Sequence, residues 1–176
     1  MLLLLKGGRK MNYTELYKQA NEIIGELTPI DADCGLLCNK SCCKGDKDDG
    51  MLIFPHENEI LSKSDFLKLK KINFRGLKLF FASCKGACNR HFRPLACRIF
   101  PFAPYYKNGK LELIKDPRAL YTCPLLFAND DELLSKDFQT AVLKAFQLLI
   151  KEPEIEKMLI KYSEMMDDYM RFTKSN

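Results

Sequence analysis

Apolar residues recur at three- and four-residue steps near both ends of the chain. Near the N-terminus this spacing covers residues 12–27, with Asn12 as an N-cap and Pro29 as a stop. The C-terminal part, residues 131–173, holds two more such stripes, and Pro153 opens the second. The pattern therefore predicts an N-terminal helix and a C-terminal helical hairpin.

Between these ends the apolar runs are short and bounded by turn residues, which is typical of strands. The runs cover residues 51–54, 77–81, 102–106 and 111–114. The last two flank Asn108-Gly109, the strongest short-range hairpin signal that a sequence offers. For residues 57–71 we expect helical material, with Ser62 or Ser64 as a cap and the lysines on a solvated face.

These elements predict an α+β fold in which residues 11–176 form a single domain. A small, irregular cysteine-rich module with short antiparallel strands occupies residues 30–125, and helices flank it. A chain of 176 residues can bury a core without disulfides. We expect residues 1–10 to be a non-native leader, because the codons before Met11 can form a purine-rich run that reads as a ribosome-binding site.

Composition, net charge and the N-terminal residues indicate which classes of protein this chain can belong to. With 47% hydrophobic and 29% charged residues the chain is neither disordered nor membrane-spanning. A net charge of +5 permits contact with nucleic acid or an acidic partner but demands neither. We expect a protein partner or a protein substrate, and no nucleic acid. No export signal is evident, which predicts a cytoplasmic protein. In that reducing compartment clustered thiols act as metal ligands more often than as disulfides.

The cysteines are the strongest functional signal. Eight are present, and four of them fall within ten residues. The candidate metal ligands are Cys34, Cys38, Cys42, Cys43, Cys84, Cys88, Cys97 and Cys123. Such bunching suits a soft metal, because a short loop can present several sulfurs to one centre. The strongest candidates among them are Cys34, Cys38, Cys42 and Cys97.

Zinc and iron–sulfur clusters both take four thiolates, so eight cysteines can fill one site or two. The Cys-x3-Cys intervals are one residue longer than those of zinc knuckles, and the added reach suits a cluster. We expect an iron–sulfur cluster in the cell and accept zinc in an aerobically purified sample. Lys85, Arg90, Arg93 and Arg98 can offset the negative charge of the thiolates. His91 is a fourth ligand in a mixed site, a donor behind the ligands or a surface residue.

The segment Cys34-x3-Cys38-x3-Cys42-Cys43, followed by Arg93-Pro94-Leu95-Ala96-Cys97-Arg98-Ile99-Phe100-Pro101, resembles the zinc- or iron-chelating cysteine-cluster family. That family is named for a Cys-x2-Cys-x2-Cys-Cys motif, and both intervals are one residue longer here. The resemblance covers residues 30–125 and implies metal chelation. Flagellin lysine methylases are similar in their cysteine region, which implies a possible protein-modifying role.

Three functions remain open at this point. The first is a metal-binding protein as such. The second is a cluster-dependent protein-modifying or electron-transfer enzyme, with the cationic Arg90–Arg98 stretch near its substrate. The third is a zinc-stabilised interaction module whose helical C-terminus binds a partner. No Ser-His-acid set, phosphate loop or dinucleotide motif is visible, so whether the chain is an enzyme is left open.

Overall fold

The computed structural model describes residues 12–44, 50–86, 88, 92–128 and 133–174. The expectation of a non-native leader falls on residues outside these ranges. The N-terminal helix is confirmed as α1 (Tyr13–Ile24). Its cap is the predicted one, since the Asn12 side chain accepts a hydrogen bond from the backbone N–H of Glu15 at 3.2 Å. The helix ends at Gly25, whose φ of +55° is a left-handed conformation that glycine adopts readily.

Three antiparallel strands form a sheet in the middle of the chain. They are β1 (Gly50–Ile53), β2 (Leu67–Phe74) and β3 (Leu77–Cys84), in the spatial order β1-β3-β2. Gly50 pairs with Ser83 and Leu67 pairs with Cys84, so the end of β3 that carries Cys84 has a strand on either side. The sheet therefore holds this thiol on a rigid frame.

The helix predicted for residues 57–71 is largely wrong. Only Asn58–Leu61 form a helical turn, α3, which follows the short cysteine helix α2 (Gly35–Cys38) in the chain. Ser62 ends α3 instead of starting a helix. From Leu67 onward the chain is strand β2. Its leucines and lysines alternate with period two at first, and a left-handed Arg75-Gly76 turn returns the chain along β3. The exposed lysines of β2 lie on an edge strand, where charge hinders unwanted pairing.

The second predicted hairpin is confirmed. Strands β4 (Phe102–Lys107) and β5 (Lys110–Lys115) pair through the Asn108-Gly109 turn. Both turn residues have positive φ, 53° and 77°, as a two-residue turn between twisted strands requires. Just before this hairpin lies α4 (Leu95–Ile99), which was not predicted and which contacts both β1 and β4.

Both predicted C-terminal helices are present, as α5 (Lys136–Leu149) and α6 (Pro153–Lys174). They follow each other through a short turn, but their main packing partners lie elsewhere: α5 packs against α1, and α6 packs against β4. One hydrophobic core joins these elements, with Phe54 and Phe146 in edge-to-face contact near its middle at 5.2 Å between centroids. No helix in the described ranges combines the length and the apolar character needed to cross a membrane.

Candidate metal centre

The first cysteine stretch folds into two tight turns, α2 and a 3-10 turn at Ser41–Cys43. Cys34 precedes α2 and Cys38 ends it, so the two are one helical turn apart and share a face. Asn39 and Lys40 then adopt left-handed backbone angles, φ 49° and 53°, which reverse the chain. The reversal is held by a hydrogen bond from Lys40 N–H to the Gly35 carbonyl at 3.0 Å. The three-residue spacing between the first cysteines is thus a helical spacing.

Cys42 and Cys43 follow in a 3-10 turn (Ser41–Cys43). Their sulfurs lie 3.8 Å apart. A hydrogen bond joins these two thiols, and it raises the pKa of Cys42 and lowers the pKa of Cys43. Burial opposes the second change, whereas the positive charges of Arg93 and Lys40 assist it. Cys43 is therefore the thiol of this pair that ionises first.

The second group of thiols comes from β3 and from α4. Cys84 ends β3, and Cys88 follows within the same connection. Arg93 donates through Nη2 to the Cys88 sulfur at 3.1 Å, and Cys88 lines one cavity with Cys43. Cys97 lies on α4, where burial raises the pKa of its thiol and Cys43 adds to the effect. Three distant segments thus meet at Cys43.

The position of α4 depends on Glu57, which the sequence did not single out. This carboxylate is 1% exposed and accepts hydrogen bonds from Phe54 N–H at 3.1 Å and from Leu95 N–H at 2.6 Å. It thereby ties the end of β1 to the first turn of the helix that carries Cys97. Burial raises the pKa of Glu57 to about 7. Nothing in its local sequence distinguishes it from a surface glutamate, because its partners are backbone groups brought near by the fold.

Two cavities border the thiols. The larger, about 570 Å³, is lined by Cys34, Cys42, Cys43, Cys88 and Cys97 together with the cationic side chains Lys40, Arg93 and Arg98. The smaller, about 270 Å³, is lined by Cys42, Cys84 and Cys97 and by Arg118. Cys38 and Cys123 line neither cavity. The fold thus places six of the eight candidates around these two cavities.

The predicted cations differ in where they lie. Arg93 contacts the Cys88 thiol directly. Arg98 lines the larger cavity and donates to the Gly25 carbonyl, joining α4 to the end of α1. Lys85 donates to the Asp65 carbonyl at 2.6 Å. Arg90 and His91 lie outside the described residues, so their predicted roles stay predictions.

The donor set fits a thiophilic metal. All eight cysteines lie in the described part, and each is a free thiol. Within the described ranges no three cysteine, histidine or acidic side chains already stand at the mutual spacing of metal ligands, so binding would require the thiols to turn toward one another. A second sign of fit is Arg93 Nε, which is buried and finds no hydrogen-bond acceptor among the described residues. A thiolate held by a metal would give this buried guanidinium the negative charge that neutral thiols cannot.

Comparisons with protein-family models, with curated proteins and with solved structures found no match to this chain. The resemblance to the cysteine-cluster family therefore stays a prediction.

Proposed function

We propose that this protein binds an iron–sulfur cluster or zinc through thiolates supplied by its two cysteine-rich segments. The observation that carries the proposal is the meeting of cysteines from three distant stretches beside one cationic cleft, represented by Cys43, Cys88 and Cys97. Neutral thiols stabilise the fold little by lying close together, and ionised thiolates repel each other. A metal ion or cluster removes that repulsion, and its binding stabilises the fold.

The proposed ligands are the eight cysteines named above. Cys34, Cys38 and Cys42 come from the first segment, and Cys97 comes from α4. These segments are far apart in the chain, so a shared metal would fasten the two parts of the fold to each other. Iron–sulfur chemistry would supply electron transfer or Lewis acidity, whereas zinc would supply structural support or Lewis acidity.

A cluster-dependent enzyme or electron carrier is the second candidate. It is favoured by the open cleft that Lys40, Arg93 and Arg98 line beside the thiols, since a purely structural site is normally closed. A protein partner or protein substrate is supported by two apolar side chains within two residues of cysteines: Leu36 is 79% exposed and Tyr121 is 96% exposed. A zinc-stabilised interaction module would use the same surface.

The test is anaerobic purification of the full chain, followed by quantification of iron, zinc and acid-labile sulfide. Iron with sulfide and a reversible redox signal would support the cluster enzyme or electron carrier. Redox-silent zinc whose removal unfolds the chain would support the interaction module. Folded protein that holds no metal after anaerobic preparation and metal supplementation would contradict the proposal in every form.

A further inference from the structure

Strand β2 forms one edge of the three-stranded sheet. In the order β1-β3-β2 one of its sides is bonded to β3, and within the described ranges no strand pairs with its other side. None of its eight residues is fully buried, and β3 is its main packing partner. The outer row of backbone N–H and C=O groups is therefore available to a further extended chain.

Exposed lysines lie on both faces of this edge. Lys68 and Lys70 are two residues apart and share one face of the sheet, whereas Lys71 is on the other face. Lys78 of β3 lies on the same face as Lys71, because its partner in β2 is two residues from Lys71. Among the described residues no carboxylate pairs with these four lysines; Lys71 instead lies 5.9 Å from the ring centroid of Phe80. The edge therefore carries positive charge that the described part of the fold leaves without a counter-ion.

This arrangement favours an extended peptide over a nucleic acid. A peptide strand that is added in the plane of the sheet points its side chains alternately to the two faces, so its carboxylates can reach cations on both. A nucleic acid that lies on one face would contact only the lysines of that face. The free carbonyl groups of the edge also accept hydrogen bonds from peptide N–H groups, whereas they repel phosphate oxygens.

A second copy of β2 is a poor occupant of the same edge. Pairing of two copies would bring the lysines of one strand beside those of the other, and like charges across a strand pair are destabilising. Opposite charges across a strand pair stabilise it, so the lysines select an acidic strand. At the far end of β2 the turn residue Arg75 is already paired with Asp168 and, at 3.8 Å, with Glu164 of α6. The charged part of the open edge is therefore residues 67–71.

We propose that β2 is a docking site for an acidic segment of a partner protein, which adds to the sheet as an extended antiparallel strand. The positions of the lysines predict the sequence of that segment. Carboxylates opposite Lys71, Lys70 and Lys68 occur in an antiparallel strand as Glu-Glu-x-Glu, read from its N-terminus. The edge begins at Leu67, which pairs with Cys84 and lines the smaller cavity, so the bound segment lies beside the candidate metal centre. Its binding requires no metal.

The test titrates the anaerobically purified full chain into the fluorescent peptide Thr-Val-Glu-Glu-Val-Glu-Thr, followed by anisotropy, with hydrogen exchange to locate the contact. We expect saturable binding, slowed exchange centred on β2, and about tenfold weaker binding when the salt concentration rises from about 50 to about 500 mM. A peptide with proline at its centre cannot complete the ladder and should not bind. Equal binding of the proline peptide, protection away from β2, no binding, or tighter binding of a DNA duplex at β2 would overturn the proposal.

A charge exchange tests which lysines are used. K68E/K71E, with one change on each face, should bind the acidic peptide at least about tenfold more weakly and should bind Thr-Val-Lys-Glu-Val-Lys-Thr instead. The matched control K144E/K157E makes the same change of net charge at exposed lysines of α5 and α6 and should bind the acidic peptide as the wild type does. Equal weakening in the two variants would overturn the site, because total charge alone would then explain binding. If K68E/K71E fails to fold, the peptide comparison on the wild-type chain decides. Failure of the peptide to bind would leave the proposed metal site untouched, since metal analysis tests that site separately.

Discussion

Replacing Glu57 by glutamine should change how the stability of this protein depends on pH. The Glu57 carboxyl is 1% exposed, and burial raises its pKa to about 7 from an ordinary value of 4.5. A folded-state pKa above the unfolded value means that the folded chain binds the proton more tightly. The stabilisation from this group is therefore fully present below about pH 4.5 and is lost as the pH rises through 7.

The magnitude follows from the two pKa values. Between pH 5 and pH 8 the contribution of Glu57 to the free energy of unfolding should fall by about 2 to 3 kcal/mol. Glutamine does not titrate, so E57Q lacks this contribution. The stability difference, wild type minus E57Q, should accordingly be larger at pH 5 than at pH 8 by about the same 2 to 3 kcal/mol.

Urea unfolding followed by circular dichroism, with reductant and chelator present throughout, measures this difference. The matched control is E22Q, which removes an exposed carboxylate on α1 whose partner is Lys18 at 3.9 Å. Its stability difference from wild type should change by less than about 0.5 kcal/mol over the same pH range. An E57Q difference that is equal at pH 5 and pH 8 would refute the reasoning, because it would mean that Glu57 titrates alike in the folded and unfolded chains.

Three further predictions concern single residues. A Cβ added in G50A would lie 2.2 Å from the Ala82 carbonyl oxygen, so this variant should lose about 3 kcal/mol of unfolding free energy in urea titrations. In G76A the added Cβ meets open space but the backbone φ is +84°, so the loss should be only about 1 kcal/mol. Equal losses in the two variants would contradict the steric argument. R93Q should weaken metal binding about tenfold in anaerobic chelator competition, because the buried donor to Cys88 is lost. The control R75Q changes an arginine paired with Asp168 and should leave the metal affinity unchanged. Unchanged affinity in R93Q would show that Arg93 does not support the metal centre. The ring nitrogens of His56 lie 3.0 Å from a Glu59 carboxylate oxygen and 2.9 Å from a Glu154 carboxylate oxygen, and these contacts raise the pKa of His56 although partial burial opposes them. The stability advantage of wild type over H56Q should therefore be present below about pH 6.5 and decline as the pH rises above it. An advantage that grows with pH in unfolding titrations would refute this.

Local chemistry was enough to predict where two helices begin and where one hairpin turns. Asn12 and Pro153 begin helices, and Asn108-Gly109 closes the β4–β5 turn, because each acts through its own backbone or that of its neighbours. The same reasoning was wrong at Leu67–Phe74. There the lysines suggested a solvated helix face, and only pairing with β3 made the strand the more stable choice.

The packing of the C-terminal helices also depends on distant residues. Their apolar stripes predict that each has a buried face but do not identify its partner, and short connections favour neighbours in sequence. In the fold α5 lies against α1 and α6 against β4, because the core that both helices cover is built from the whole chain. Glu57 is a similar case, since its partners Phe54 and Leu95 are backbone donors that become close only after folding.

The sequence by itself determined that eight thiols come in close groups, because spacing along the chain is a local property and a soft metal requires several sulfurs together. The tertiary structure decided which thiols are neighbours. It placed Cys43, Cys88 and Cys97 around one cavity, since their approach depends on where β3 and α4 dock on the core. Side chains that are far apart along the chain meet only through such docking, and spacing cannot encode it.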